Sequence, residues 1–538
     1  MVTTDIVWLE KEPVRLDDGS QTEVLVPKVY AVVKKGDVAG NGTLLESAQR
    51  LTALAQNELV LDSVAKAYEL EEYHHIKSGS GISKSSKTRF AAAKGEQQQG
   101  SVLKGESIAL VAGQNMQARG ATLQAQSDMV LSAENNLTLG VAENSHFATQ
   151  WEKRKKSGFG ASFSGGVAAL GYQRSTENLQ GQYDSATVNS TALISHSGNI
   201  ELYAKQHLKG EGVLADAGKD IVVNGGNVAL EAAYNRLYSQ HQSSRKTSGI
   251  GVSAVYNPVK VAKANYGEQA GQGSASGIIG KLLTTAESVD KTGQQLARPF
   301  SPYIKHQQEK SNSHQASQQA VVSELSAGGN LTITAAAGNI TTQGALLSAK
   351  GEGALWAKEN IDLNVAVNRE SQDNRKRNWG VGLDLSKSAT SMTTSYSGEG
   401  LGEGKRYQER ASTLSFGGNG TVTAQQGDIR LVGTQFVSEG DSTLTAGKDI
   451  HLTTAQSRLG QSEANRFQGI GEAVISETER FAGYNRKLNS QNADSVSHQG
   501  AMIASLNKNL NINAGGDYHQ TAGQLLSKQQ LNLQADNI

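Results

Sequence analysis

The stretch GGNLTITAAAGNITTQGALLSAKGEGALWAKENIDLNVA, Gly328 to Ala366, returns as GGNGTVTAQQGDIRLVGTQFVSEGDSTLTAGKDIHLTTA, Gly417 to Ala455. The two align without a gap, 89 residues apart at both ends (417 against 328, 455 against 366). Inside each copy the unit is five or six residues long: apolar, polar, apolar, polar, then Ala, as in Leu331, Ile333 and Ala335. A period of two describes a strand with one buried face; a helix would place its apolar residues three and four apart. Between units lie two to six residues rich in Gly, Asn and Asp, which tolerate left-handed backbone and tight corners. Such units suit hairpins of a sandwich or coils of a solenoid, and the spacing decides. The 39 residues from 328 to 366 hold several strands, the number needed for about two circuits of ~20 residues each.

Working outward, ESIALVAGQNMQARGATLQAQSDMVLSAENNLTLGVA (Glu106 to Ala142) is an earlier copy, one residue tighter after its first strand. A divergent copy spans 198–233 with NIELYA, KDIVVN and NVALEA, and a partial one lies near 500–538. These blocks predict an all-β fold: a right-handed parallel β-helix with projecting β-hairpin excursions and one short helical insert. Each circuit pairs in parallel with the next, about 4.8 Å away, and buries a column of Leu, Ile, Val and Ala. Recurrent corner residues Asn199, Asn330, Asn339, Asn360 and Asn509 suit amide ladders and ordinary turn preference equally. The expected division is a strand-rich segment over 1–70, with a hairpin in Glu12 to Lys34 turning at Asp17, Asp18 and Gly19, then the repeat array over 71–538.

Composition agrees with a slender core. Of 538 residues 59 are Gly and 5 are Pro; aromatics are 5% and hydrophobic residues 37%. Lys+Arg and Asp+Glu are both 51, so the net charge of zero provides no long-range field for nucleic acid, and no nucleic-acid partner is expected. The absence of cysteine excludes disulfides, thiolate nucleophiles and cysteine-ligated metals. Residues 1–30 carry no signal-peptide pattern, since Val7, Trp8 and Leu9 run straight into Glu10, Lys11 and Glu12, and Met1 is expected to open a fragment. No apolar run of eighteen residues is present to span a bilayer as a helix.

The excursions have a pattern of their own. After the last Ala of a block come about fifteen polar, often basic residues, then Gly-x-Gly and an alternating segment; Gly158, Gly249, Gly380 and Gly469 open four, and Gly79 a fifth. Three continue with one apolar face: Phe159, Ala161, Phe163; Ile250, Val252, Ala254; and Val381, Leu383, Leu385. Each excursion reads as a hairpin whose return arm re-enters the next block, for instance through Thr413, Leu414 and Phe416. The longer insert after Gly249 contains SGIIGKLLTTAESVDKTGQQLA, from Ser276, which predicts one amphipathic helix.

Chemical motifs are weak. Gly158-Phe159-Gly160 opens no helix after a buried strand, so it marks a turn or strand start and no dinucleotide site. His74 and His75 are neighbours, hence on opposite faces of a strand and unable to share a metal. Ser never stands in a Gly-x-Ser-x-Gly elbow, and Asp220, Asp362 and Asp449 occur singly near strand starts, where corner chemistry explains them. No enzyme and no cofactor is expected. The runs Lys153 to Lys156 and Arg375 to Arg377 fit lipopolysaccharide phosphates or plain solvation.

The opening TDIVWLEKEPVRLDDGSQTEVLVPKVYAVVKKGD, followed by GNLxIxA, GNI, GAxLxA and NIxLxxA units and by basic excursions ending in SGxG, resembles the second haemagglutinin-repeat region of filamentous haemagglutinin-like proteins. The likeness is strongest to contact-dependent growth inhibition effectors of the CdiA type and covers essentially the whole chain. It implies a two-partner-secretion exoprotein, at the surface of or secreted from a Gram-negative bacterium, exported through an outer-membrane transporter of the producing cell. It further implies that the repeat region assists delivery of a C-terminal toxin across the target-cell outer membrane; the alternative is an adhesin rod. The partners implied are a target-cell outer membrane or surface receptor. The residues expected to contact a membrane are Phe159, Phe163, Ile250, Val252, Val381, Leu383 and Leu385, with a soluble hairpin packed beside the β-helix as the other reading.

Overall fold

The computed structural model describes residues 7–15, 21–29, 37–164, 167–255, 300–384, 393–474 and 480–538. Every regular element among them is a β-strand. The LTITA-type units stack in parallel: Leu110, Leu131, Leu202, Val223, Ile333, Leu355, Val422, Leu444 and Ile512 are successive partners in one ladder. The chain is a parallel β-helix, and successive circuits are 21 or 22 residues long where nothing interrupts them, as from Leu110 to Leu131 and from Ile333 to Leu355. The helical insert expected from Ser276 lies outside the described residues.

Most coils contain three strands, and in two of them the first two merge into one long strand, Ile200–Glu211 and Ile221–Glu231. Ser107–Ala112, Asn115–Arg119 and Thr122–Ala125 form a plain one; Met129–Ala133, Asn136–Gly140 and Ala192–Ser195 form the next, with an excursion between its second and third strands. Plain and excursion-bearing coils alternate along the described chain. Coils reach further toward the N-terminus than residue 70: Val38–Asn41 already pairs in parallel with Leu59–Asp62, and residue 70 lies inside the first excursion arm. Further upstream, Val7–Arg15 and Gln21–Val29 form a separate antiparallel pair.

The column fills by complementary sizes. Its apolar side chains are almost wholly buried, and burying each Leu or Ile contributes roughly 1.5–3 kcal/mol. Where the first strand of successive coils carries Gly353 and Gly420 in place of a large side chain, Phe416 and Phe436 from the third strand occupy the space, their ring centroids 6.0 Å apart. A Cβ on Gly420 would stand 2.5 Å from the Phe436 ring, so the small and large residues require each other.

Corners are tied by side-chain ladders. The Oδ1 atoms of Asp128, Asn199 and Asp220 accept the backbone N–H of Asn199, Asp220 and Asn330, one coil on in each case. At a second corner Asn339, Asn360, Asp428 and Asp449 do the same for Asn360, Asp428, Asp449 and Asp517. Of the two readings of the corner Asn residues, the ladder is realised, and Asp or Asn serves alike because only the acceptor oxygen is needed. Asp220 and Asp449, singled out as isolated carboxylates, are rungs of these ladders. Burial pushes the Asp362 carboxyl up, against the pull of Arg430 3.9 Å away.

Two devices launch and recover each excursion. Gly120, Gly212, Gly344 and Gly433 turn the corner after the second strand of plain coils with φ between 58° and 66°, the left-handed region. A Cβ there would meet Ala142, Ala233, Ala366 or Ala455, the first residue of the neighbouring excursion, which explains why each block ends in Ala. On the return, buried Ser101, Thr191, Ser323 and Ser412 donate to backbone carbonyls next to the departure point: Thr191 to Gly140 at 2.6 Å and Ser323 to Glu231 at 3.1 Å. Ala501 stands at the fifth such position, and the hydroxyl of nearby Thr434 has no protein partner.

Candidate functional surface on the hairpin sheet

The excursions are hairpins, as expected, with arms of 17 to 23 residues. The first pairs Val64–Ser80 with Ser83–Gln99, and the second Ala142–Ser164 with Val167–Asn189. The third pairs Ala233–Val255 with Phe300–Val321, the fourth Ala366–Asp384 with Thr393–Arg410, and the fifth Ala455–Val474 with Arg480–Gln499. The basic runs Lys153 to Lys156 and Arg375 to Arg377 are parts of these arms.

The hairpins are joined edge to edge in one antiparallel sheet of ten strands. Geometry explains the join. Two coils advance the β-helix by about 9.6 Å, and a two-stranded hairpin is about 9.6 Å wide, since both spacings are the same ~4.8 Å. A hairpin on every second coil therefore sets each arm at hydrogen-bonding distance from the next hairpin, as between Val167–Asn189 and Ala233–Val255. Most side chains on both faces are exposed or half-buried, so the sheet is one layer thick.

Register sorts the side chains, because directly paired residues share a face. Phe159, Tyr172, Ile250, Ile304 and Leu383 form one continuous row across five strands. Leu170, Val252 and Pro302 lie in the next row toward the hairpin ends, and Val381, Ile470 and Tyr484 in the next row toward the coils. Phe159 is 62% exposed, Ile250 56% and Ile304 53%, and Phe159 meets Tyr172 edge-on, 5.4 Å between centroids. The structure thus brings five of the seven sequence candidates onto one face. Phe163 pairs with Ala168 at a position whose side chain lies outside the described set, and Leu385 lies outside the described residues. Tyr172, Leu170, Ile304, Ile470 and Tyr484 were not foreseen; most stand on return arms, where no Gly-x-Gly marks the strand.

The opposite face at the same height carries the glycines. Gly160, Gly171 and Gly251 are consecutive partners, as are Gly158, Gln173 and Gly249 one row nearer the coils. A Cβ on Gly171 would lie 2.7 Å from the Cα of Gly251, so both must lack side chains for these strands to approach. Tyr396 covers Gly380, its direct partner, an aromatic ring shielding backbone that glycine leaves bare. The recurring Gly-x-Gly is a sheet-packing device whose alternation leaves the row of Phe159, Tyr172, Ile250, Ile304 and Leu383 on the other face.

Charges also divide by face. On the glycine side Arg154 pairs with Glu152 and Glu177, Lys87 with Glu152, and Lys376 with Glu309. Against burial, which pushes it up, hydrogen bonding and charge from Arg154 hold the Glu152 carboxyl below its usual range. On the apolar side, three adjacent rows beginning at Lys153, Lys155 and Ser157 contain Lys153, Lys155, Arg174, Lys246, Lys310 and Arg466, with Glu399 as the single carboxylate among the paired residues of those rows. Glu399 is taken up by Arg375 and Arg377. His74 and His75 point to opposite faces, His74 toward Glu72 and His75 toward Thr88 at 2.8 Å.

The hemagglutinin repeat family matches residues 78–194, 170–280, 304–406 and 402–538. Among curated proteins, the chain is 30% identical to the toxin CdiA of Yersinia pestis over 385 residues, 67% of this chain and 11% of that protein. It is 28% identical to the 16S rRNA endonuclease CdiA of Enterobacter cloacae subsp. cloacae over 309 residues, 54% of this chain and 9% of the relative. It is 25% identical to the tRNA nuclease CdiA of Escherichia coli O6:K15:H31 over 478 residues, 80% of this chain and 14% of the relative. The chain thus spans between 9% and 14% of the length of these relatives. No solved structure matches the chain. A two-coil repeat with its own hairpin, matched over most of its length by one family, makes this chain a member of the hemagglutinin repeat family and a CdiA-type repeat region.

Proposed function

We propose that this chain is a non-catalytic delivery segment of a secreted contact-dependent growth inhibition exoprotein, and that its hairpin sheet enters the outer membrane of a target cell. The observation that carries this reading is the unbroken exposed row Phe159, Tyr172, Ile250, Ile304 and Leu383. Monomeric proteins seldom leave a contiguous apolar patch uncovered unless it meets a partner or a lipid phase. This one lies near the hairpin ends, the part of the sheet furthest from the coils, and alternates with glycine in the manner of a strand that is apolar on one side only. In the amino-acid sequence Phe163 and Leu385 continue the same alternation. The nuclease activities in the relatives' names belong to proteins of which this chain matches a small part. In this reading the β-helix is a spacer, the producing cell's outer-membrane transporter exports the full-length protein, and a target-cell receptor brings the sheet to the membrane.

Flotation of the purified chain with outer-membrane vesicles tests the proposal. Wild type is expected to float with the vesicles, and Phe159→Asp combined with Ile250→Asp to cut the floating fraction at least tenfold. A double variant that floats like wild type overturns membrane entry. A chain that attaches to intact cells and never enters vesicles supports the adhesin rod instead.

A further inference from the structure

The geometry points to a second binding surface beside the apolar rows: a belt of cations on the same face that takes the phosphate groups of an anionic lipid surface and sets how deep the hairpins go. It rests on the membrane reading above and adds the ligand class and the depth.

The belt includes Lys153, Lys155, Arg174, Lys246, Lys310 and Arg466, in the three rows immediately coilward of Phe159. No carboxylate of the described residues forms an ion pair with any of these six. On the glycine face at about the same height Glu152, Glu177 and Glu309 offset part of the charge by pairing with Arg154, Lys87 and Lys376, while Lys156 and Arg245 make no ion pair among the described residues. Positive charge is therefore concentrated on the face that also carries the apolar rows. Coilward of Phe159, Arg174 enters in the row of Val381, Ile470 and Tyr484, and Lys155 and Lys246 share the next row with Trp379, so that apolar side chains give way to cations along the strands with aromatic rings where the two overlap. That order matches a bilayer read from hydrocarbon to interface to phosphate.

Length fits the same ligand. From Lys155 to the row of Leu170 and Val252 is six residues, or ~20 Å of extended strand. The hydrocarbon of one leaflet is about half of ~30 Å, so cations at the phosphates place the apolar rows within a single leaflet. At the coilward margin of the belt a groove of about 800 Å³ is lined by Trp151, Lys153, Lys310, Arg375 and Arg377, large enough to seat a phosphorylated headgroup.

Co-flotation of the full chain with phosphatidylcholine vesicles, and with an equimolar mixture of phosphatidylcholine and phosphatidylglycerol, reads the belt. Wild type is expected to prefer the anionic vesicles, with the preference shrinking as salt rises. Each neutralised cation is expected to weaken anionic binding up to about fivefold. Lys153→Gln, Lys155→Gln, Lys246→Gln and Lys310→Gln together are expected to lower it at least tenfold while leaving partition into neutral vesicles in place. Lys156→Gln with Arg245→Gln, on the glycine face, is expected to retain the preference. Equal partition of wild type into both vesicles, or a belt variant that keeps the preference, overturns the inference. So does duplex DNA that binds as tightly as the anionic vesicles, which assigns the cations to any polyanion. If the Asp variants at Phe159 and Ile250 float like wild type while the belt variant does not, membrane entry fails and the belt stands.

Discussion

The coils and the hairpin sheet use the same alternating strands, yet they hold their apolar residues in opposite conditions. In the coils the chain wraps around itself, so the inward residue of every strand meets a side chain from the other two sides and from the coils before and after. Ile333, between Val223 and Leu355, is completely buried. In the sheet nothing wraps around the strands. Phe159 occupies the same kind of alternating position and is mostly exposed. Alternation alone therefore encodes a face, and whether the face becomes core or working surface depends on what the topology brings against it. The sheet holds together through its backbone ladder and cross-strand pairs, leaving neighbouring rows of apolar side chains free for another phase.

Substitutions should separate the two regions by energy. The largest effect is expected for Ile333→Ala, which leaves a cavity in a closed column and should cost about 3 kcal/mol in urea denaturation. Because repeat arrays share stability between neighbours, the loss should also weaken hydrogen-exchange protection of the adjoining coils around Val223 and Leu355. Ser323→Ala should cost less, about 1–2 kcal/mol, by stranding the Glu231 carbonyl where the third hairpin returns, with exchange rising at the base of that hairpin. Phe159→Ser should change stability by no more than about 0.5 kcal/mol, because the ring is already in water, while vesicle flotation falls. A stability loss at Phe159 comparable to that at Ile333 would erase the distinction and make the sheet a second core.

Much of this was legible in single residues. Leu331, Ile333 and Ala335 announce a half-buried strand, the offset of 89 announces a repeat, and Gly-x-Gly followed by Phe159 or Ile250 announces an arm with one apolar side. The ladder of Asn and Asp was legible only as a possibility, since a turn-loving residue and an acceptor for the next coil look alike until the coils are stacked. The hydroxyls of Thr191 and Ser323 gave no signal among many other Ser and Thr residues, because their role is defined by carbonyls 51 and 92 residues away. The candidate surface was half visible. Phe159 and Ile250 follow the glycines, whereas Tyr172 and Ile304 join them only through cross-strand register.

The amino-acid order by itself determined the coils, because each strand's buried residue and each corner's Gly or Asn are written within a few positions of one another. Only the tertiary structure decided that separate hairpins become one sheet. That join depends on the equality of two distances, the rise of two coils and the width of one hairpin, and neither appears until the chain has been wound.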